Sequence, residues 1–165
     1  MIKKLFYDFF GIFFEFLQKA NRIYKENYYK KNYDIDESVK ILKNVRIGGN
    51  VEIGEETAIQ RDCIIGSGKK SKVRIGKYCA VAPRVQIRAS THGKGRGIYY
   101  EPKEEDIDIG DYVWIGTNSY IKEGVKIGDN AIIGANSVVT KDVPENSIVG
   151  GVPAKIIKQN DRLDK

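Results

Sequence analysis

Residues 109–139 read IGDYVWIGTNSYIKEGVKIGDNAIIGANSVV, and Ile or Val recurs there at every sixth position. The same spacing recurs over most of the chain, at Ile41, Ile47, Ile53, Ile59, Ile65, Ile75, Val81, Ile87, Ile109, Ile115, Ile121, Ile127, Ile133, Val139 and Val149. A period of six differs from the 3.6 residues of a helical turn and is typical of short strands joined by tight corners. We therefore predict a coiled stack with three short strands per coil.

The repeated aliphatic side chains are expected to point inward and to stack on their counterparts one coil away. Burying each of them stabilises the fold by roughly 1.5 to 3 kcal/mol. Glycine directly follows nine of the fifteen, and we expect it to supply the corner conformation because it has no Cβ atom. Since each coil contacts only its neighbours, the two ends of the stack need caps.

A long polar loop at residues 88–108 interrupts the repeat, and shorter interruptions precede Ile75 and Val149. The long loop contains His92, which is the single histidine of the chain. A regular solenoid that is interrupted once by a long polar loop is expected to carry its function there.

The composition indicates one soluble domain, because 165 residues with 41% hydrophobic and 30% charged side chains match an average globular unit. The net charge is +6, and residues 1–33 carry +4 of it. A basic chain can favour nucleic acid, an anionic membrane or a phosphorylated cofactor. No nucleic-acid-binding motif is present, so we predict no nucleic-acid partner.

Cysteine and histidine usage excludes several chemistries. Cys63 and Cys79 occur without a secretory signal, so we predict a cytoplasmic protein with both thiols reduced in its core. A single histidine excludes zinc sites with three histidines, and we predict no metal.

Three segments of the chain resemble the hexapeptide-repeat acyltransferases: VWIGT at 113–117, IGANSVVTKDVP at 133–144 and GGVPAK at 150–155. Within that family the chain is most similar to the O-acetyltransferases of galactosides, maltose and capsular sugars, over residues 35–158. The resemblance implies a left-handed parallel β-helix, an exception to the usual right-handed crossover.

We therefore predict an all-β fold: a left-handed parallel β-helix of about five coils at residues 34–153, with an N-terminal helical cap at residues 1–33. A C-terminal tail at residues 154–165 is expected to form a short helix near Ala154 to Lys158. The resemblance also implies a homotrimer with three active sites at subunit interfaces, each built from one chain's His92 loop and another chain's groove.

Acyl transfer from a thioester to a hydroxyl needs a base for the hydroxyl proton and donors for the oxyanion. His92 matches the position of the family's catalytic histidine; the alternative is a surface histidine without a function. Its second ring nitrogen needs an acceptor. The loop offers a backbone carbonyl or one of four carboxylates, Glu101, Glu104, Glu105 and Asp106.

The resemblance implies acetyl-CoA as co-substrate and assigns six residues to its groove: Thr117, Ala135, Thr140, Lys141, Lys155 and Lys158. The last two replace arginines of relatives, which keeps the charge but loses the bidentate fork. The alternative is that residues 140–142 form a polar corner and that the tail lysines form a solvated face.

A saccharide is the predicted acceptor. Candidate sugar-binding residues are Gln60, Arg61, Asp62, Trp114 and Asn118. Tyr99 and Tyr100 are expected either to stack on a sugar ring or to brace the loop. The predicted function is O-acetylation of a sugar hydroxyl in a polysaccharide precursor or a small saccharide. Two alternatives stay open: N-acetylation of an amino sugar or amino acid, and a non-catalytic binding or scaffold protein.

The aromatic N-terminus predicts one or two amphipathic helices. Apolar residues recur there at helical spacing, at Leu5, Phe9, Ile12, Phe13, Phe16, Ala20, Ile23 and Tyr24. One hypothesis is a cap that covers the first coil and packs on a neighbouring subunit. The other is an interfacial helix that brings the protein to a lipid-linked glycan at the inner face of the membrane.

Overall fold

The computed structural model describes residues 2–93 and 102–160, with the backbone alone for residues 2–11. Helix α1 (Ile2–Asn32) comes first. Short strands follow it: β1 (Asp34–Ile35), β2 (Lys40–Ile41), β3 (Arg46–Gly48), β4 (Val51–Ile53), β5 (Ala58–Ile59), β6 (Ile64–Gly66), β7 (Val73–Ile75), β8 (Ala80–Val81), β9 (Gln86–Arg88), β10 (Ser90–Thr91), β11 (Lys103–Glu104), β12 (Ile107–Ile109), β13 (Trp114–Ile115), β14 (Tyr120–Ile121), β15 (Lys126–Ile127), β16 (Ile132–Ile133), β17 (Val138–Val139), β18 (Ser147–Gly151) and β19 (Ala154–Gln159).

Three sheets form the three faces of the coils. Sheet A has the order β1-β4-β7-β12-β15, sheet B the order β2-β5-β8-β13-β16-β18-β19, and sheet C the order β3-β6-β9-β14-β17. Each coil contributes one strand to each sheet, so the five strands of sheets A and C define five coils. The prediction of a parallel β-helix with three strands per coil is confirmed.

The core consists of the predicted aliphatic columns. All fifteen periodic Ile and Val residues are buried. In sheet C the register stacks Ile47 on Ile65, Ile65 on Ile87 and Ile87 on Ile121. A coil is too thin to bury these side chains alone, so the stacking of coils provides the core.

The corner role predicted for the repeat glycines is wrong. Left-handed backbone occurs instead at residues with side chains, in two corner columns: Asn44, Asp62, Arg84, Asn118 and Asn136 between sheets B and C, and Glu56, Tyr78, Tyr112, Asn130 and Asn146 between sheets A and B. Five of the nine repeat glycines are required instead by the close approach of the next coil: Gly54, Gly76, Gly110, Gly116 and Gly128. A Cβ on Gly116 would lie 2.5 Å from the Ala135 nitrogen. A Cβ on Gly76 would lie 2.6 Å from the Gly110 oxygen.

The predicted C-terminal helix is also wrong, because Ala154–Gln159 forms strand β19. This strand pairs antiparallel with β18, with Gly151 opposite Ala154 and Ser147 opposite Gln159. An edge strand leaves unpaired amide and carbonyl groups, and β19 satisfies those of β18. The β-branched pair Ile156 and Ile157 also favours a strand over a helix.

Only the last turn of α1 packs closely on the first coil. Tyr29 is buried, and its hydroxyl donates to the carbonyl oxygen of Val45 (3.1 Å). The Tyr33 hydroxyl donates to the carbonyl oxygen of Ile47 (3.2 Å). In the described part of the chain, no helix is long and apolar enough to cross a membrane.

Upstream of Tyr29, α1 turns its polar side toward the solenoid. Gln18, Arg22 and Lys25 line a cavity together with Lys43 and Asn44 of the first coil. Large apolar side chains are exposed along the helix at Ile12, Phe13, Phe14, Phe16, Leu17, Ile23, Tyr24 and Tyr28. At 100° per residue, Ile12, Phe16 and Tyr24 fall on the side opposite to Gln18, whereas Phe14 falls beside it.

Candidate active site

His92 opens onto a cleft of about 340 Å³ beside sheet C. Outward side chains of two neighbouring strands, Gln86 of β9 and Tyr120 of β14, form one wall. Pro102 and the β10 residues Ser90 and Thr91 also line the cleft. The imidazole is exposed, and no hydrogen bond joins it to another described residue. It is therefore accessible to a ligand in the cleft.

A short two-stranded ribbon holds the base of the loop that carries His92. Strands β10 and β11 pair antiparallel, with Ser90 opposite Glu104 and Thr91 opposite Lys103. The backbone NH of Glu105 donates to the carbonyl oxygen of Ala89 (3.1 Å). The chain therefore leaves the solenoid after β9 and returns as a ribbon, which places His92 one residue beyond a paired position.

The loop carboxylates in the described residues bind other groups than His92. Glu104 accepts a hydrogen bond from the backbone NH of Lys70 (2.5 Å), and Asp106 accepts one from the backbone NH of Lys72 (2.8 Å). Glu105 accepts one from Lys103 (2.8 Å), which raises the pKa of that lysine. These three carboxylates anchor the loop. Glu101, the fourth predicted candidate, lies outside the described residues.

A second cleft, also about 340 Å³, lies at the C-terminal end of the solenoid. It brings together three of the predicted CoA-binding residues, Thr140, Lys141 and Lys155. Lys158 follows on the same strand, β19, and both of these β19 lysines are exposed. Cations at the end of a groove are suited to the phosphates of a nucleotide.

Thr117 and Ala135 stack on consecutive coils at the corner between sheets B and C. The backbone NH of Asn136 donates to the carbonyl oxygen of Thr117 (2.9 Å), which fixes this stacking. Thr117 does not line the His92 cleft, although Tyr120, three residues after it, does. A single chain therefore does not bring the predicted base and the predicted donor residues into one cleft.

Comparison with known proteins identifies this architecture. The family described as bacterial transferase hexapeptide (six repeats) matches residues 106–141. A solved galactoside acetyltransferase in complex with coenzyme A is 30% identical, with a TM-score of 0.70 over 84% of this chain and 72% of that one. The chain belongs to the hexapeptide-repeat transferase family. Its coil is accordingly the left-handed β-helix of these neighbours, as predicted.

Two further relatives of this hexapeptide-repeat transferase are named for different reactions, one an O-acetyl transfer and the other an N-acetyl transfer. Polysialic acid O-acetyltransferase of Escherichia coli O1:K1 / APEC is 44% identical over 132 residues, which is 74% of this chain and 43% of that protein. A 2,3,4,5-tetrahydropyridine-2,6-dicarboxylate N-acetyltransferase of Halalkalibacterium halodurans is 35% identical over 79% of this chain and 52% of that protein. The chain thus spans about half the length of these curated relatives.

The predicted sugar-binding run Gln60, Arg61 and Asp62 lies at a corner, outside the His92 cleft. Asp62 accepts a hydrogen bond from the side-chain amide of Asn44 (3.0 Å) and lies 3.7 Å from the Arg61 guanidinium. The Asn44–Asp62 hydrogen bond joins consecutive coils. The run shares the sheet B–sheet C corner with Thr117.

Trp114 and Asn118 also lie outside the His92 cleft. The Asn118 side chain donates to the side-chain oxygen of Asn136 (2.9 Å), so it forms part of a corner ladder. Trp114 is 43% exposed on the outer face of sheet B. Tyr99 and Tyr100 lie outside the described residues.

The sequence-based reasoning missed the residues that line sheet C around His92. Arg88, Gln86 and Tyr120 each lie next to a buried aliphatic residue of the repeat and therefore point outward. The signal was the alternation of strand side chains, which assigns these positions to the outer face. Which of the three sheets lies beside His92 could not be predicted from the sequence, because it depends on how the coils stack.

Cys63 and Cys79 are buried core residues, as predicted. Burial raises the pKa of each thiol to about 11, so both are protonated at neutral pH and neither is suited to act as a nucleophile. Within residues 2–93 and 102–160, no group of three His, Cys, Asp or Glu side chains has the arrangement of a metal site.

Proposed function

We propose that this chain is an acetyl-CoA-dependent O-acetyltransferase that acetylates a sugar hydroxyl with His92 as general base. The observation that carries the proposal is the His92 cleft. His92 carries the only imidazole among the described lining residues of the cleft, and imidazole is the side chain that most often acts as a general base. The exposed ring leaves room for a hydroxyl on one side and a thioester on the other.

The reaction is a direct transfer. The acceptor oxygen attacks the thioester carbonyl carbon while the imidazole takes the hydroxyl proton. A backbone NH near the groove stabilises the tetrahedral oxyanion. The carbon–sulfur bond then breaks, and the CoA sulfur takes the proton back from the imidazolium. No acyl-enzyme is needed, which agrees with the buried, protonated state of both cysteines.

The predicted CoA-binding residues match the charge and the shape of acetyl-CoA. Lys141, Lys155 and Lys158 provide exposed cations for its phosphates, and Thr117 and Ala135 line an edge along which a slender pantetheine arm can lie. We propose a homotrimer in which this edge of one subunit faces the His92 loop of the next. The proposal is supported by the separation, within one chain, of the His92 cleft from the cleft that holds Thr140, Lys141 and Lys155.

The deciding experiment measures free-thiol release from acetyl-CoA with a panel of saccharides, for wild type and for His92→Ala. A positioned base contributes on the order of 10²- to 10⁴-fold, so the variant should lose acceptor-dependent release to that extent. CoA affinity and the melting temperature should be unchanged, since His92 is exposed and hydrogen-bonds to no described residue. Equal release by the two proteins would contradict the assignment.

Amine acceptors in the same panel test N-acetylation, the second candidate. The observation that favours N-acetylation is the 35% identity to an N-acetyltransferase. Release with amino sugars or amino acids and none with hydroxyl acceptors would replace the first candidate by the second. Failure of the protein to bind CoA would instead support a non-catalytic binding or scaffold role.

We also propose that α1 attaches the protein to an anionic membrane surface. Ile12, Phe16 and Tyr24 are 69%, 64% and 69% exposed, on the side of the helix that faces away from its own solenoid. Residues 1–33 carry +4, so an anionic lipid surface attracts this segment, whereas a second copy of it would be repelled. This charge favours lipid over a neighbouring subunit as the occupant of the apolar side.

Sedimentation of the full chain with vesicles tests this attachment. We expect binding to vesicles that contain phosphatidylglycerol, weaker binding to pure phosphatidylcholine, and loss of binding in Phe16→Ser/Tyr24→Ser. Gln18→Ser, on the polar side of the helix, is the matched control and should bind normally. A double variant that binds vesicles normally but loses oligomeric mass would assign the apolar side to a neighbouring subunit.

A further inference from the structure

A second groove continues from the His92 cleft along sheet C toward the first coil. It has a volume of about 480 Å³ and shares Arg88 and Ser90 with the cleft. Its far end is lined by Arg46 of β3. The two spaces therefore adjoin at Arg88 and Ser90, and the second extends across β9 and β6 to β3.

Glycines form the floor of this groove. Gly48 is paired with Gly66, and Gly66 with Arg88, in the register of sheet C. A Cβ on Gly48 would meet no atom within 4 Å, and a Cβ on Gly66 would meet only the Gly48 oxygen at 3.5 Å. Unlike Gly76 and Gly116, these glycines are therefore not required by the neighbouring coil, and their lack of side chains keeps the groove open.

The described residues that line the groove include two arginines and no carboxylate. Arg46 and Arg88 are both exposed, and neither forms an ion pair among the described residues. Among residues 2–93 and 102–160, no Asp or Glu lines either space. By contrast, Arg74 on sheet A contacts three carboxylates, Glu52, Asp106 and Asp108. Glu104, on the adjoining ribbon, bonds to the Lys70 backbone.

The position of the groove relative to His92 indicates what it binds. The proposed donor residues lie in the fourth and fifth coils and at the C-terminal end, on one side of the His92 coil along the solenoid axis. The arginine groove extends in the opposite direction, across the third, second and first coils. A molecule in this groove approaches His92 from the side opposite to the donor residues of the same chain.

We infer that the acceptor is an anionic oligosaccharide or polysaccharide, with carboxylate or phosphate groups bound by Arg88 and Arg46 and a hydroxyl at His92. The inference rests on the proposed function. β3 and β9 are separated by two strand spacings, about 10 Å, so the two guanidinium groups suit charges on different sugar units. Guanidinium groups bind carboxylate and phosphate oxygens by paired hydrogen bonds.

Direct binding to the full chain, in the presence of CoA, tests the inference separately from catalysis. The probes are tetramers of galacturonic acid, of a phosphodiester-linked sugar and of galactose, which separate carboxylate, phosphate and neutral ligands. We expect at least one anionic tetramer to bind about tenfold more tightly than the galactose tetramer, and less so at high salt. Arg46→Gln and Arg88→Gln should each weaken anionic binding about fivefold to tenfold.

Two further variants complete the test. Lys43→Gln removes the same charge from an exposed corner residue that lines neither space, and it should bind every tetramer as wild type does. Gly48→Leu should fill the groove and weaken all tetramers without lowering the melting temperature, because its Cβ has free space.

The inference is overturned if no anionic tetramer binds, if galactose tetramer binds as tightly as the anionic ones, or if both arginine variants bind normally. Acetylation of a neutral sugar that depends on His92 but not on Arg46 or Arg88 would refute it while leaving the proposed function intact. Tetramer binding that depends on both arginines, without His92-dependent acetyl transfer, would support the groove and refute the proposed reaction.

Discussion

Gly76→Ala tests the conclusion that five of the repeat glycines are required by the close approach of the neighbouring coil. Its Cβ would lie 2.6 Å from the Gly110 oxygen and 2.7 Å from the Gly110 carbonyl carbon. An ordinary contact needs at least 3.4 Å, so the next coil would have to move by about 0.8 Å. That movement strains two hydrogen bonds of 2.8 Å, from Gly76 NH to the Ile109 carbonyl and from Lys77 NH to the Asp111 carboxylate.

Overpacking costs about 1 to 3 kcal/mol, and each weakened hydrogen bond costs up to about 1 kcal/mol. Replacing glycine by alanine returns about 0.4 to 1 kcal/mol, because the unfolded chain loses freedom. We therefore expect Gly76→Ala to be destabilised by about 2 to 3 kcal/mol. In a chain of this size, that lowers the melting temperature by about 5 to 10 °C.

Gly48→Ala is the matched control, since it makes the same chemical change at a repeat glycine with free space. Its melting temperature should rise by about 1 to 4 °C. Circular dichroism melts at equal protomer concentration, with urea unfolding in parallel, measure both variants. Equal melting temperatures for Gly76→Ala and wild type, or equal losses in both variants, would refute the close-approach reasoning.

Three further predictions concern the core, the first coil and the donor cleft. A thiol reagent at pH 7.5 should label neither Cys63 nor Cys79 in the native protein and both after denaturation, because burial raises their pKa to about 11; rapid native labelling would contradict this. Tyr29→Phe should lower the unfolding free energy by about 1 kcal/mol, since the buried hydroxyl bonds to the Val45 carbonyl, and an unchanged urea midpoint would exclude that role. Lys141→Ala and Lys155→Ala should each weaken CoA binding about threefold to tenfold, an effect that shrinks with added salt, whereas Lys43→Ala should not.

In the long loop, the sequence was sufficient to select His92 but not to predict the partners of the loop carboxylates. His92 could be selected because it is the only histidine and lies in the only long interruption of the repeat. The partners of Glu104, Glu105 and Asp106 could not be selected, because Lys70 and Lys72 reach the loop only after one complete coil has closed. The arginine groove was missed for the same reason, since Arg46 and Arg88 share a face across three coils.

The sequence alone determined the three-stranded coil, its aliphatic columns and the place of the functional loop. Burial of the fifteen repeat Ile and Val residues follows a period of six, so that period is sufficient to find this aliphatic column along the chain. The tertiary structure alone decided why five of the repeat glycines must lack a side chain, that β19 pairs with β18, and that Gln86 and Tyr120 line the His92 cleft. Each of these depends on the distance between residues of different coils, and that distance is set by how the coils stack.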